Sequence, residues 1–170
     1  TSKFIEIKSY GTSNLRIIQD AIKIVEKHNV NNSSYSKIWC VFDRDRCTKS
    51  QLKKAFDLAK KHGIQIAFSN ICFETWILLH FKYFKNSINA IDTKDAVSTE
   101  FLKNFGEKYQ KNDKYLYSRL EKYQDAAMKH AKKLVKYHKK YKNDTPFAMD
   151  PSSSVFRLIK ELNKKADSYK

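Results

Sequence analysis

Apolar positions recur along this chain with two periods, and the alternation between them predicts an α/β order. Residues 3–9 set Phe4, Ile5 and Ile7 among polar neighbours, which is a strand pattern. Gly11-Thr12-Ser13 forms a turn that caps a helix over 14–27, with Leu15, Ile18, Ala21, Ile22 and Val25 on one face. A polar loop over 29–36 leads into Ile38-Trp39-Cys40-Val41-Phe42, an unbroken apolar run of the kind found in strands covered on both faces. Thr48 or Ser50 caps a second helix over 51–62, with Leu52, Ala55, Phe56 and Ala59 inward, and Gly63 closes it. Residues 64–68 read as a third strand. The order β-α-β-α-β implies a parallel sheet with right-handed crossovers.

After Ser69-Asn70 the segment 71–81 is apolar almost all round, so a helix there is buried. Glu74 is its single acid, set among Ile71, Ile77, Leu78 and Phe81. A lone buried carboxylate costs several kcal/mol or takes up a proton, so Glu74 is expected to be paired or metal-bound. A structural acid bonding N–H groups of the first helical turn is the alternative. His80 reads as packed or exposed at a helix end rather than as a ligand. Past Phe84 the pattern turns helical: a loop over 86–92, a helix over 94–105 capped by Thr93, and a polar stretch over 106–113 with Tyr109 and Lys111. A long helix over 114–141 follows, its stripe being Leu116, Leu120, Tyr123, Ala127, Ala131, Leu134 and His138. A loop over 143–153 holds both prolines, and a last helix covers 154–165. The chain thus divides into an α/β core over 1–85 and a basic helical unit over 86–170 packed on it.

Composition narrows the class. With 41% hydrophobic and 14% aromatic residues, the 170-residue chain builds a real core, and only 3 Gly and 2 Pro favour long helices. No apolar run reaches the ~18 residues of a membrane span. The first residues lack both the apolar stretch of a signal peptide and a starting Met, as expected of a trimmed part of something longer. Cys40, Cys47 and Cys72 match neither C-x-x-C nor a zinc spacing, so they read as reduced thiols of a cytoplasmic protein. The formal charge of +16 invites a polyanionic partner, although an AT-rich coding sequence produces the same lysine bias. Residues 101–170 hold 18 basic and 8 acidic side chains against 16 and 10 in residues 1–100, so the excess lies on the helical part. Tyrosines interleave with it, as on a face that tracks a phosphate backbone and stacks bases; a plain solvated surface is the alternative.

Candidate chemistry gathers where the central strand ends, at Asp43-Arg44-Asp45-Arg46. Ligands of open α/β sheets sit beyond the carboxyl ends of the strands. In an extended chain the period of two points Asp43 and Asp45 the same way. Carboxylates held close raise each other's pKa unless a cation stands between them, and a hard divalent ion fits that need. A polar turn neutralised by Arg44 and Arg46 is the alternative reading.

Together, Trp39-Cys40-Val41-Phe42-Asp43-Arg44-Asp45 and the run Phe68-Ser69-Asn70-Ile71-Cys72-Phe73-Glu74-Thr75-Trp76-Ile77-Leu78-Leu79-His80-Phe81 resemble the RloB-like family. Tyr109-Gln110-Lys111 and Asp150-Pro151-Ser152-Ser153 match more weakly, and the similarity covers nearly all of the chain after Lys3. The resemblance implies a Toprim-like parallel sheet with flanking helices and a C-terminal helical unit. It also implies a metal-dependent nuclease of RNA or DNA in a bacterial antiviral, abortive-infection or restriction-associated system, using Mg²⁺ or Mn²⁺. Asp43, Asp45 and Glu74 are then the metal-site acids, with Glu74 as ligand or general base and Lys111 facing phosphate charge. Arg44, Arg46, Ser69 and Asn70 are expected at the substrate. The family's upstream Glu-Gly-x-x-Thr-Glu type motif is not found in the chain, and Ile71 stands where the family usually has Pro. The rival from another class is a non-catalytic nucleic-acid-binding or assembly subunit of a defence complex. A defence-system partner protein and a homo-oligomer both fit the reading, and a membrane does not.

Overall fold

The computed structural model describes residues 7, 13–30 and 35–167. In chain order the elements are α1 (Asn14–Val30), β1 (Trp39–Asp43), α2 (Lys49–Lys61), β2 (Gln65–Asn70), α3 (Glu74–Phe81), α4 (Ala90–Phe105), α5 (Leu116–Leu120), a 3-10 turn (Glu121–Tyr123), α6 (Gln124–Lys140), β3 (Ser152–Ser153) and α7 (Val155–Asp167). The strand expected over 3–9 lies outside the described residues apart from Ile7, which is exposed and not in a strand.

β1 and β2 pair in parallel, with Cys40 opposite Ile66 and Asp43 opposite Ser69. The alternation of side chains sorts them onto two cores. Cys40, Phe42, Ile64 and Ile66 pack with Ile18, Ala55 and Ala59 of α1 and α2. Trp39 and Ala67 pack on the other side with Trp76, Leu79, Ala131, Leu134 and Val155 of α3, α6 and α7. The double burial expected of β1 is only partial: Cys40 is buried, but β1 stands at the edge of the described sheet and Val41 is 47% exposed.

The sheet is mixed, which corrects the all-parallel expectation. Within the stretch expected to be a loop, Ser152–Ser153 pairs antiparallel to Asn70 and Ser69 as β3. A strand of two serines carries no apolar pattern. It forms because β2 presents edge groups that need partners: the Ser154 N–H donates to the Phe68 carbonyl at 2.7 Å, and the Phe68 N–H donates to Ser154 Oγ at 2.8 Å.

Local capping settles the helix starts. Thr48, not Ser50, begins α2: the Gln51 N–H donates to Thr48 Oγ1, and the Thr48 N–H donates to Gln51 Oε1. α4 begins earlier than expected because Asn89 caps it, its Oδ1 accepting the Asp92 N–H at 2.9 Å. Thr93 lies inside that helix, buried, with its hydroxyl donating to the Asn89 carbonyl.

α3 is apolar all round because it separates two clusters. Trp76 and Leu79 face α6 and α7, while Ile77 and Leu78 meet Val97, Phe101, Tyr109 and Leu120. The helix expected over 114–141 is broken for the same reason. α5 buries Leu120 in the second cluster, whereas α6 buries Ala127, Ala131 and Leu134 in the first. The 3-10 turn between them re-aims the buried stripe, with no Gly or Pro to announce it. His138 closes the far end of α6, its Nε2–H donating to the Pro151 carbonyl at 2.8 Å.

Candidate functional site

The candidate site is built at the carboxyl ends of β1 and β2. Asp43 is the last residue of β1, half-buried, and Asn14 at the start of α1 donates its amide to the Asp43 carbonyl at 3.0 Å. The Asp43 carboxylate accepts the Phe73 N–H at 3.2 Å, just before α3 begins. The main chain then leaves the strand: the Arg44 N–H donates to the Ser69 carbonyl, the Asp45 N–H to the Ile71 carbonyl, and the Cys47 N–H to the Arg44 carbonyl. Asp45 itself is left-handed, with φ 42°, and exposed. The extended Asp-x-Asp geometry is therefore replaced by a turn, which short polar side chains such as Asp tolerate.

The acids nonetheless share one electrostatic neighbourhood. Burial raises the Asp43 carboxyl above the usual Asp range and the Phe73 N–H lowers it; Asp45 raises it, Lys111 lowers it, and Glu74 raises it again. Two residues far apart in the chain, Glu74 and Lys111, thus act electrostatically on the end of β1, Lys111 from the exposed stretch after α4.

Glu74 is buried at the first residue of α3, where the helix N-terminus favours a negative charge. Its neighbours are protonated donors. The Tyr109 hydroxyl donates to Glu74 Oε1 at 3.3 Å. Burial pushes the Tyr109 hydroxyl up, and Glu74's charge pushes it further. Burial likewise lifts the Cys72 thiol to about 11, Glu74 adding to the effect through its charge and a side-chain hydrogen bond. The Glu74 carboxylate is thus paired with a phenol and a thiol. Among the described residues no group of three His, Cys, Asp or Glu side chains stands at metal-holding spacing.

Three residues expected at the substrate are engaged internally. Arg44 donates Nη1 to Asp150 Oδ2 at 3.2 Å and to Asn70 Oδ1 at 3.3 Å, and its guanidinium lies 4.1 Å from the centre of the Phe147 ring. Asn70 is wholly buried and gives its amide to the carbonyls of Pro146, Phe147 and Met149. Ser69 is buried against Ser153, their hydroxyls 3.0 Å apart. Arg46 alone of the four is exposed. Tyr109, Asp150 and Phe147 were not legible as partners of the site, although Tyr109 and Asp150 fall in the two weaker matched runs.

The donor set suits a hard divalent ion: Asp43 and the exposed Asp45 offer carboxylate oxygens, and Mg²⁺ commonly takes one or two carboxylates while keeping waters for the remaining positions.

A family model described as RloB-like protein matches residues 1–162. The chain belongs to the RloB-like family. No curated protein and no solved structure matches it. In this RloB-like chain the two runs that carry the likeness, 39–45 and 68–81, are joined at the site itself by the bonds from Arg44 to Ser69, Asp45 to Ile71 and Phe73 to Asp43. Among the described residues no helix is long and apolar enough to cross a membrane.

Proposed function

We propose that this RloB-like chain is a Mg²⁺- or Mn²⁺-dependent nuclease acting on RNA or DNA from a Toprim-like core, in an antiviral defence or restriction-associated setting. The observation that carries the reading is Asp43 at the end of β1, its carboxylate held by the Phe73 N–H at the start of α3 and raised first by burial, with Asp45, Lys111 and Glu74 acting on it as smaller influences. Carboxylates with a nearby lysine at strand ends are an arrangement that supports phosphodiester hydrolysis.

Asp43 and Asp45 would hold the ion, which supplies charge neutralisation at phosphate and a lowered pKa for bound water. Glu74, which accepts the Tyr109 hydroxyl, would accept the proton of the attacking water or extend the ligand set. As the water oxygen bonds to phosphorus, the bond from phosphorus to the leaving oxygen breaks, and that oxygen takes a proton from solvent. Lys111 faces the charge that accumulates on phosphate. Exposed Arg46 grips flanking phosphates, while Arg44 holds the turn that carries Asp45.

The test is cleavage of labelled RNA and DNA with Mg²⁺ or Mn²⁺, comparing the protein with Asp43→Ala. Cleavage is expected to fall to the metal-free background in the variant. Equal cleavage by both proteins refutes the reading. The satisfied pairing of Glu74 with Tyr109 and Cys72 favours a second reading, a non-catalytic nucleic-acid-binding or assembly subunit. On that reading Asp43→Ala and Asp45→Ala leave nucleic-acid affinity intact and no metal-dependent cleavage is seen in any protein.

A further inference from the structure

α6 carries six lysines, Lys142 follows just beyond it, and no acid stands between Asp125 in its first turn and Asp144. Lys129 and Lys133, Lys132 and Lys136, and Lys136 and Lys140 stand four apart, and like charges at that spacing weaken an isolated helix. Some lysines elsewhere in the chain are answered by acids: Lys37 by Glu161, Lys53 by Asp57, Lys82 by Glu100. Two of those on α6, and Lys85 beside it, lie over aromatic rings. Lys133 lies 4.2 Å from the centre of the Tyr83 ring, Lys85 lies 5.7 Å from Tyr137, and Lys140 lies 5.8 Å from Tyr141. The Tyr137 and Tyr141 rings lie 4.9 Å apart and tilted, and the Tyr83 ring lies 6.1 Å from His130. His130, Lys133, Tyr137 and Tyr141 follow at steps of three and four, one stripe of the helix. Tyr83 and Lys85 join it from the segment after α3.

The stripe is joined to the strand-end site by a short length of chain. Tyr141 is six residues before Phe147, at most about 20 Å along an extended chain, and Phe147 is the ring beneath Arg44. His138 fastens the same end of α6 to Pro151, beside Asp150.

We infer that the stripe of Tyr83, Tyr137 and Tyr141 with Lys85, Lys133 and Lys140 is a binding surface for single-stranded nucleic acid, whose unpaired bases stack on the tyrosines while the ammonium groups meet the phosphates. Charge alone is met by a duplex as well as by a strand. Tyr141 is exposed, and Tyr83 and Tyr137 are half-buried with part of each ring at the surface; rings set between charges favour bases that are free to leave their stack, because a duplex hides its base faces. The inference rests on the reading that the partner is a nucleic acid, not on cleavage, and it assigns unpaired strands as the substrate class.

The test is fluorescence anisotropy of the protein with labelled oligouridine, oligothymidine and a duplex, with divalent ions chelated so that nothing is cut. Both single strands are expected to bind more tightly than the duplex, and the two arms report whether ribose or deoxyribose is preferred. Tyr141 is 57% exposed, so Tyr141→Leu keeps the fold; it is expected to weaken single-strand binding about tenfold, and Tyr141→Phe to restore it. Lys133→Ala with Lys140→Ala is expected to flatten the slope of log affinity against log salt by about 1.4. Lys53→Ala, on α2 and paired with Asp57, changes neither quantity. Unchanged affinity in the tyrosine and lysine variants, a duplex bound most tightly, or acidic polypeptide bound in place of nucleic acid would each overturn the inference. Asp43→Ala separates it from the nuclease proposal: single strands bound normally by a chain that shows no metal-dependent cleavage sink only the nuclease, and cleavage unaffected by the stripe variants sinks only the surface.

Discussion

Replacing Asn70 by Ala tests whether the amide beneath the strand ends is a structural clamp or a substrate contact. The wild-type amide spends its two N–H bonds on three carbonyls, those of Pro146, Phe147 and Met149 at 3.0–3.1 Å, so one of them is shared. Its oxygen accepts from Arg44 at 3.3 Å. Two neutral bonds contribute about 1 kcal/mol each, and the charge-assisted one about 1.5, at the low end because it is long. Asn70 itself is fully buried, while its partners are half-buried. The expected loss is about 3–4 kcal/mol, a large share of a stability of about 5–15. A chain of this size loses about 2–4 °C of Tm per kcal/mol, hence about 10 °C. Urea melts followed by circular dichroism read the effect as a lower midpoint at unchanged slope. A loss under about 1 kcal/mol, with nucleic-acid affinity falling instead, would refute the clamp and return Asn70 to the substrate.

Three further measurements probe the same core. Burial lowers the His80 imidazole from 6.5 to about 4, opposed by the Trp76 carbonyl that accepts its Nδ1–H; the folded state therefore holds fewer protons than the unfolded one, and stability is expected to fall by about 3 kcal/mol as pH drops through this window and to stay level above it. In metal-free buffer, urea midpoints from pH 7 to pH 4 read it, and His80→Leu should remove that component. Tyr109→Phe deletes the hydroxyl that donates to Glu74, with an expected cost of about 1 kcal/mol and slower cleavage; a variant as stable and as active as wild type would show that Glu74 needs no such partner. Gly106→Ala places a side chain at φ 73° where nothing lies within 4 Å, so only the backbone resists, and a loss of about 1–2 kcal/mol in a thermal melt is expected.

Much of the chain was legible from its own letters because the forces involved are local. One-sided apolar spacing marked α1 and α2, and the Thr48 and Gln51 pair closes a capping box within four residues. The all-round apolar α3 announced its burial and the acid at position 74 announced a partner, whereas the unbroken run of β1 overstated its cover, since Val41 stays exposed. What only the tertiary structure decided is who the partners are. Glu74 meets Tyr109 from 35 residues away, and Arg44 is taken up by Asp150 across 106 residues. β3 has no strand pattern at all; it exists because β2 has an edge to satisfy. The helix break at Glu121–Tyr123 answers two cores that one straight stripe cannot reach. Periodicity reports which face of an element turns inward, since that depends on neighbours three or four residues away. It carries no record of which distant donor or edge will stand opposite, because that is settled only when the faces close on one another.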